Sequence, residues 1–245
     1  MKILLTGNKG YIGSWLEKRL EEKHEVIGVD IKADYDLLTE TLFAEDKFDA
    51  VIHLAGKSGV RESLEDPASY WYNNIEVTRK IFSRFKNTRV IYASSSSAYE
   101  PELNPYANSK WVMEQLALDH SNALGMRFHT VYSEEPRKGM FLDKLINGTL
   151  TYTTNHLRDY IHIEDVCDTI IRCLNNGEKG VMDVGTGHSI RVRFLAPHLP
   201  VRLNTPYERQ HTQANTKRMT DLGILPKYNI IKFLTNKGFE YKIKT

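Results

Sequence analysis

The stretch from Lys2 to Asp30 narrows the choice of fold more than any other part of this 245-residue chain. Lys2-Ile3-Leu4-Leu5-Thr6 reads as a short buried strand, an apolar run bounded by a turn. The turn follows at once as Thr6-Gly7-Asn8-Lys9-Gly10-Tyr11-Ile12-Gly13, a G-x-x-G-x-x-G spacing. Ile12, Trp15, Leu16 and Leu20 recur at helical spacing and predict an amphipathic helix from about Tyr11 to Glu22. Val26 to Asp30 reads as a second strand, and it ends in an acid. Strand, glycine turn, helix and acid-tipped strand, in that order, make a dinucleotide-binding unit. The glycines let the backbone approach a pyrophosphate, which rests on free amides at the helix N-terminus. Gly7, Gly10, Tyr11, Ile12 and Gly13 are therefore expected to line a cofactor. Asp30 is placed to accept from the adenosine ribose hydroxyls and to repel a 2′-phosphate, which favours NAD over NADP.

The alternation continues downstream. Ala50-Val51-Ile52-His53-Leu54-Ala55 and Arg89-Val90-Ile91-Tyr92-Ala93 read as further apolar strands. The sequence thus predicts an α/β fold with a Rossmann-like, doubly wound parallel sheet. After the second of these strands comes a serine run, Ser94 to Ser97, and then Tyr106 and Lys110 in Tyr106-Ala107-Asn108-Ser109-Lys110. Positions four apart share a helix face, so the ammonium of Lys110 is expected beside the phenol of Tyr106. A nearby positive charge favours the phenolate and lowers a phenol pKa from its ordinary value of about 10. A tyrosine so tuned can take a proton from a sugar or alcohol hydroxyl while hydride leaves the same carbon.

Taken together, the motifs resemble those of the extended short-chain dehydrogenase/reductases that modify nucleotide sugars, and they do so over nearly the whole chain. Thr6 to Gly13 looks like that family's cofactor turn, and His53-Leu54-Ala55-Gly56 like its H-L-A-A strand end. Tyr72-Asn73-Asn74-Ile75-Glu76-Val77-Thr78 resembles its N-V-x-G-T helix start. Arg158 to Asp165 is similar to R-D-Y-I-H-V-x-D, and Asp183 to Gly187 to N-V-G-T-G. Within the family, Ala55 to Pro67, Tyr92 to Tyr99 and Gly125 to Tyr132 look most like the UDP-glucuronate 4-epimerases.

The resemblance implies an NAD-dependent UDP-sugar 4-epimerase, acting on UDP-glucuronate or on a UDP-glucose/galactose type of sugar. Ser95, four residues before Tyr99, matches the catalytic Ser/Thr, with Ser94 and Ser96 as alternatives one register away. Tyr106 is the implied general base and acid at O4, and Lys110 holds the nicotinamide ribose. Leu54, Ala55 and Asn74 are implied to border the cofactor, Asn74 on the nicotinamide or the substrate side. Thr130 and Arg137 would contact the sugar; a guanidinium at Arg137 could bind a carboxylate in bidentate fashion. Arg158 and Arg209 would neutralise the diphosphate. Relatives that dehydrate sugars carry an Asp-Glu pair after the catalytic threonine, and decarboxylating ones a glutamate; here Ser96 and Ser97 stand there. Epimerisation needs no such acids, because the same hydride returns to the other face of the ring. The chain departs from the pattern at Arg137-Lys138-Gly139-Met140, where R-P-D-M is usual, in the short interval from Ser95 to Tyr106, and in a compressed tail after Gly187.

Composition agrees. With 41% apolar residues a chain of this length can bury a sizeable core, and a formal net charge of +2 gives no electrostatic case for a nucleic-acid partner. Cys167 and Cys173 read as buried thiols rather than a disulfide or metal site, which suits a reducing compartment. No apolar run reaches the ~20 residues of a membrane span, and the strand at the N-terminus leaves no room for a signal peptide, so a cytoplasmic protein is expected. His53 and His162 read as packed side chains, and Arg61 as either an anion contact or a solvated residue at a helix start. The expected organisation is a cofactor-binding portion over 1–128 and a smaller C-terminal nucleotide-sugar-binding lobe over 129–245, with Ile161 to Leu174 packing back on the sheet. Helices near Tyr72 and Tyr106 carry apolar residues on two sides, which predicts a homodimer. Two other readings stay open: a nucleotide-sugar reductase or dehydrogenase of the same family, and a non-catalytic NAD-binding protein.

Overall fold

The computed structural model describes residues 1–40 and 46–241, which divide into two compact units. Its strands are, in chain order, β1 Lys2–Thr6, β2 Glu25–Val29, β3 Ala50–His53, β4 Arg89–Ser95, β5 Ala123–Phe128, β6 Thr130–Tyr132, β7 Thr153–Thr154, β8 Leu157–His162, β9 Gly180–Val184, β10 Ser189–Arg191 and β11 Val201–Arg202. Positions 242–245 of the expected sugar-binding lobe lie outside the described residues.

The first unit comprises Met1–Phe128 and Cys167–Met182. It is built on a six-stranded sheet of order β2-β1-β3-β4-β5-β9. The pairings from β2 across to β5 are all parallel. Leu4, Leu5, Ile52, Val90 and Ile91 are fully buried, as strands covered on both faces must be. Each such side chain contributes ~1.5–3 kcal/mol of burial. Because β2 and β3 lie on opposite sides of β1, the winding reverses there. In doubly wound sheets that reversal opens a crevice at the carboxyl ends of the strands.

Helix α1, Gly13–Glu21, packs Leu16 and Leu20 inward and starts two residues later than the periodicity predicts. After β3 come α2, Val60–Glu65, and α3, Pro67–Tyr70. Asp66 caps α3 by accepting from the Ser69 amide, with Pro67 at the first helical position. The chain then runs through a π-helical segment, Trp71–Glu76, into α4, Val77–Arg84. Helix α5, Pro105–Leu116, is capped by the Asn104 side chain, which accepts from the Ala107 amide at 2.8 Å. Val77, Ile81, Phe82, Tyr92 and Met113 belong to one core cluster, in which the Phe82 and Tyr92 rings meet edge to face.

The second unit comprises His129–Val166 and Asp183–Thr245. In its three-stranded sheet β8 is central, parallel to β6 and antiparallel to β10. A small parallel pair joins β7 to β11. Helix α6, Phe141–Ile146, and a C-terminal helix, Ile230–Asn236, add Leu142, Leu145, Phe233 and Leu234 to a core with Tyr132 and Tyr160. The fully buried Asp159 on β8 accepts from the Thr186 amide and hydroxyl, the Gly187 amide and the Ala214 amide. Those bonds compensate its desolvation and pin two loops to β8. Helix α7, Ile163–Arg172, leads back into the first unit, where Cys167 and Cys173 are buried thiols outside any disulfide. Among the described residues no helix is long and apolar enough to cross a membrane.

Candidate active site

At the end of β1 the chain turns sharply. Gly7 adopts φ +76°, and its amide donates to Val29 O at 2.7 Å. A Cβ at Gly7 would lie 2.5 Å from the Ala55 nitrogen, and one at Gly13 would lie 2.1 Å from Gly7 O. Both contacts are too close for any side chain, so glycine is required. The Gly10 amide returns to Gly7 O at 2.9 Å, and α1 begins with no side-chain cap at Ile12. The helix start therefore presents amides and the positive end of the helix dipole without a protein acceptor drawn from its cap. Asp30, buried at the end of β2, accepts from the Lys9 amide at 3.1 Å and the Lys32 amide at 2.9 Å. It thus braces the glycine turn. Leu54 and Ala55 follow β3, their amides donating to Thr6 O and Thr6 Oγ1.

Ser95 is the last residue of β4, so the serine run is partly strand rather than wholly loop. Its Oγ accepts from the Ser97 amide at 3.1 Å and caps a 3-10 turn, Ser96–Tyr99. The neighbouring Ser94 hydroxyl points elsewhere: it donates to Glu114 on α5. Tyr106 sits half-buried in the first turn of α5, its ring edge-on to Tyr70 at 6.1 Å between centroids. Lys110 lies one turn further on, buried, and its Nζ donates to Ala93 O of β4 at 2.7 Å. Burial pushes the Lys110 ammonium down to about 8, and the Glu114 carboxylate opposes that fall. Ser95, Tyr106 and Lys110 are thereby carried by adjacent pieces of one unit, with Lys110 anchored two residues before Ser95.

Asn74 lies within the π-helical segment and is fully buried. Its amide accepts from the Lys57 nitrogen at 2.7 Å and donates to Lys57 O and to Ser109 Oγ. It joins the loop after β3 to α5, next to Lys110. Gly56 makes this fit possible, because a Cβ there would lie 2.7 Å from Asn74 Oδ1 and 3.7 Å from Lys110 Nζ. π-Helical turns recur at functional sites because the extra residue redirects a side chain. His53 bonds Thr6 and Thr78, and burial, with the Lys110 charge second, pushes its imidazole down to about 3. It is a neutral, packed residue.

In the second unit Thr130 begins β6, opposite Tyr160, and Arg137 is exposed in the loop before α6. Arg158 on β8 donates to Leu157 O and to His156 Nδ1, and pairs loosely with Glu208 at 3.9 Å. Arg209, half-buried, follows Glu208 in the same loop. His156 is held neutral, down to about 4, by burial first and by Arg158 second. Its Nε2 meets Thr205 Oγ1 at 2.7 Å.

Reading the sequence overlooked Glu114. It lies four residues past Lys110 and eight past Tyr106, so the same face-sharing that pairs those two could have found it.

A parallel α/β sheet with a glycine turn at its first crossover defines a dinucleotide-binding class of enzyme. A family model described as the NAD dependent epimerase/dehydratase family matches residues 3–185. The chain belongs to that family, and NAD is its cofactor. Protein CapI of Staphylococcus aureus is 30% identical over 83% of this chain and 80% of that protein. UDP-glucose 4-epimerase of Haemophilus influenzae is 26% identical over 78% and 80%. Among solved structures, MoeE5 in complex with UDP-glucose and NAD superposes with a TM-score of 0.86, at 25% identity, over 97% of both chains. The glycine turn, the uncapped start of α1 and the acid at Asp30 suit the pyrophosphate and ribose of NAD.

Proposed function

We propose that this enzyme is a UDP-sugar 4-epimerase, with Tyr106 as the group that removes and returns the O4 proton. The observation that carries this reading is the anchoring of Lys110 on Ala93 O beside Ser95, one helical turn from Tyr106. A largely protonated Lys110 places positive charge on the face of α5 that bears the phenol, which favours the phenolate. Ser95 orients the sugar hydroxyl and shares its proton. NAD, when bound, supplies the reversible oxidation at C4. Ser96 and Ser97 offer no carboxylate for elimination or decarboxylation. That favours epimerisation over the dehydratase chemistry also found in the family.

Thr130 and Arg137 are proposed to read the sugar, and Arg158 and Arg209 the diphosphate, so that 129–245 serves as the nucleotide-sugar-binding portion. A carboxylated sugar suits Arg137. A homodimer in the cytoplasm is part of the same proposal, supported by the exposed aromatic rings of Trp71, Tyr72 and Trp111 on neighbouring helical segments. The test is incubation with a panel of UDP-sugars and chromatographic separation of the epimers. Interconversion without a steady change in NADH absorbance is expected. A steady change would identify a reductase or dehydrogenase, and no turnover of any sugar would leave only NAD binding.

A further inference from the structure

Resting on the assignment of Tyr106 and Lys110 as the proton-handling pair, we propose that Glu114 is a positioning residue that locks α5 to the end of β4. Glu114 is buried, and its carboxylate accepts from three donors on two strands. Ser94 Oγ donates to Oε1; Arg127 Nε donates to Oε1 at 2.8 Å and Arg127 Nη2 to Oε2 at 2.6 Å. Ser94 and Arg127 are register partners across β4 and β5. The guanidinium also lies over the Tyr99 ring, 4.0 Å from its centroid. The links to Ser94 on one side and Tyr99 on the other bracket Ser95 and its 3-10 turn. From the same helix Lys110 reaches Ala93 O.

Energetics favour a positioning role over a packing one. A buried ion pair gains little over well-packed apolar residues of the same volume, since desolvation offsets most of its attraction. A carboxylate with bidentate geometry and a third donor instead fixes direction. It fixes which residues of α5 face the strand end, and the register Ser95–Tyr106–Lys110 follows. Glu114 also sets the charge near Lys110. Of the other titratable groups, His53 on β3 feels the Lys110 charge, while Tyr92 on β4 and Arg127 on β5 interact with Glu114. Burial keeps both His53 and Tyr92 uncharged near neutrality. Glu114 is therefore the charged partner able to move the Lys110 titration.

The test compares Ser94→Ala and Glu114→Gln with the wild type in two readouts. The first is kcat and KM for the UDP-sugar that the wild type turns over. The second needs no turnover: the pH titration of the Lys110 13Cε resonance in the NAD-loaded protein, assigned by its loss in Lys110→Arg. Ser94→Ala, which removes one hydroxyl and leaves the Arg127 pair intact, should lower kcat roughly tenfold to a hundredfold at unchanged KM, as misplaced reacting groups do. Glu114→Gln should move the Lys110 midpoint to lower pH. Should Glu114→Gln not fold, Ser94→Ala decides alone. Wild-type kcat in Ser94→Ala, or an unmoved midpoint in folded Glu114→Gln, overturns the proposal. If the wild type turns over no sugar, the epimerase reading fails while the Lys110 titration still judges Glu114.

Discussion

Burial takes the Lys110 ammonium out of water and pushes its pKa from 10.5 down to about 8. The folded state therefore binds the Lys110 proton less tightly than the unfolded chain does. With the folded pKa the lower one, stability rises with pH across the window from about 8 to 10.5 and is lowest below it. Near pH 7 the charged lysine costs roughly 3 kcal/mol, the free-energy equivalent of that shift. Lys110→Met should raise the urea midpoint at neutral pH while turnover disappears, a trade of stability for function. A lowered midpoint would mean that the hydrogen bond to Ala93 outweighs the desolvation. Arg137 is tested at the same scale. Arg137→Ala should raise KM for UDP-glucuronate roughly tenfold to a hundredfold, the equivalent of a charged hydrogen bond of ~1.5–3 kcal/mol, and leave UDP-glucose nearly unchanged. Equal effects on the two sugars would remove the carboxylate reading.

Helical segments near Trp71 and Trp111 present apolar side chains outward as well as inward. Trp71 and Tyr72 are 50% and 56% exposed on the π-helical segment, while Ile75 of the same segment is buried. Trp111 is 39% exposed on α5, whose Ala107 and Met113 face the core. Elements apolar on two sides need a second partner, and light scattering at micromolar concentration should give the mass of a dimer. A monomer, or an unchanged dimer in Trp71→Lys/Trp111→Lys, would exclude this face. The same elements explain what the sequence makes legible. β1, the glycine turn, α1 and β2 announce themselves because period, glycine spacing and a terminal acid are all local. The π turn at Trp71–Glu76 has no compositional mark, since it differs from α-helix only in which carbonyl each amide meets. β4 extends through Ser95 because burial and pairing with β5, not β-propensity, hold its serines extended. Glu114 escapes notice because its partners, Ser94 and Arg127, come from other elements. The second unit was legible mainly as motifs: its sheet is made of short strands tied by the long-range bonds of Asp159.

Across the whole molecule, each unit encloses a neutral histidine. His53 titrates near 3 in the first, and His156 near 4 in the second, against an ordinary value of 6.5. The unfolded chain takes up both protons at about pH 6.5, the folded chain only well below. Stability from these groups is thus complete above pH 6.5 and is lost as pH falls toward their folded values. His53 alone accounts for about 1.4 kcal/mol per pH unit within that window. Urea unfolding should show a falling free energy that begins near pH 6, before carboxylates titrate. A flat profile down to about pH 5 would show that these imidazoles are accessible to protons.

Hydride chemistry at a sugar carbon, gated by one phenol, is the centre of the proposed mechanism, and Tyr106→Phe tests it most directly. Wild type and variant are incubated with UDP-glucose and UDP-glucuronate, the C4 epimers are separated by chromatography, and bound NAD is released and measured. The expected result is epimer formation by the wild type, and a variant that keeps its NAD but turns over at least about a hundredfold more slowly. A variant that holds NAD and epimerises at a near-normal rate would contradict it.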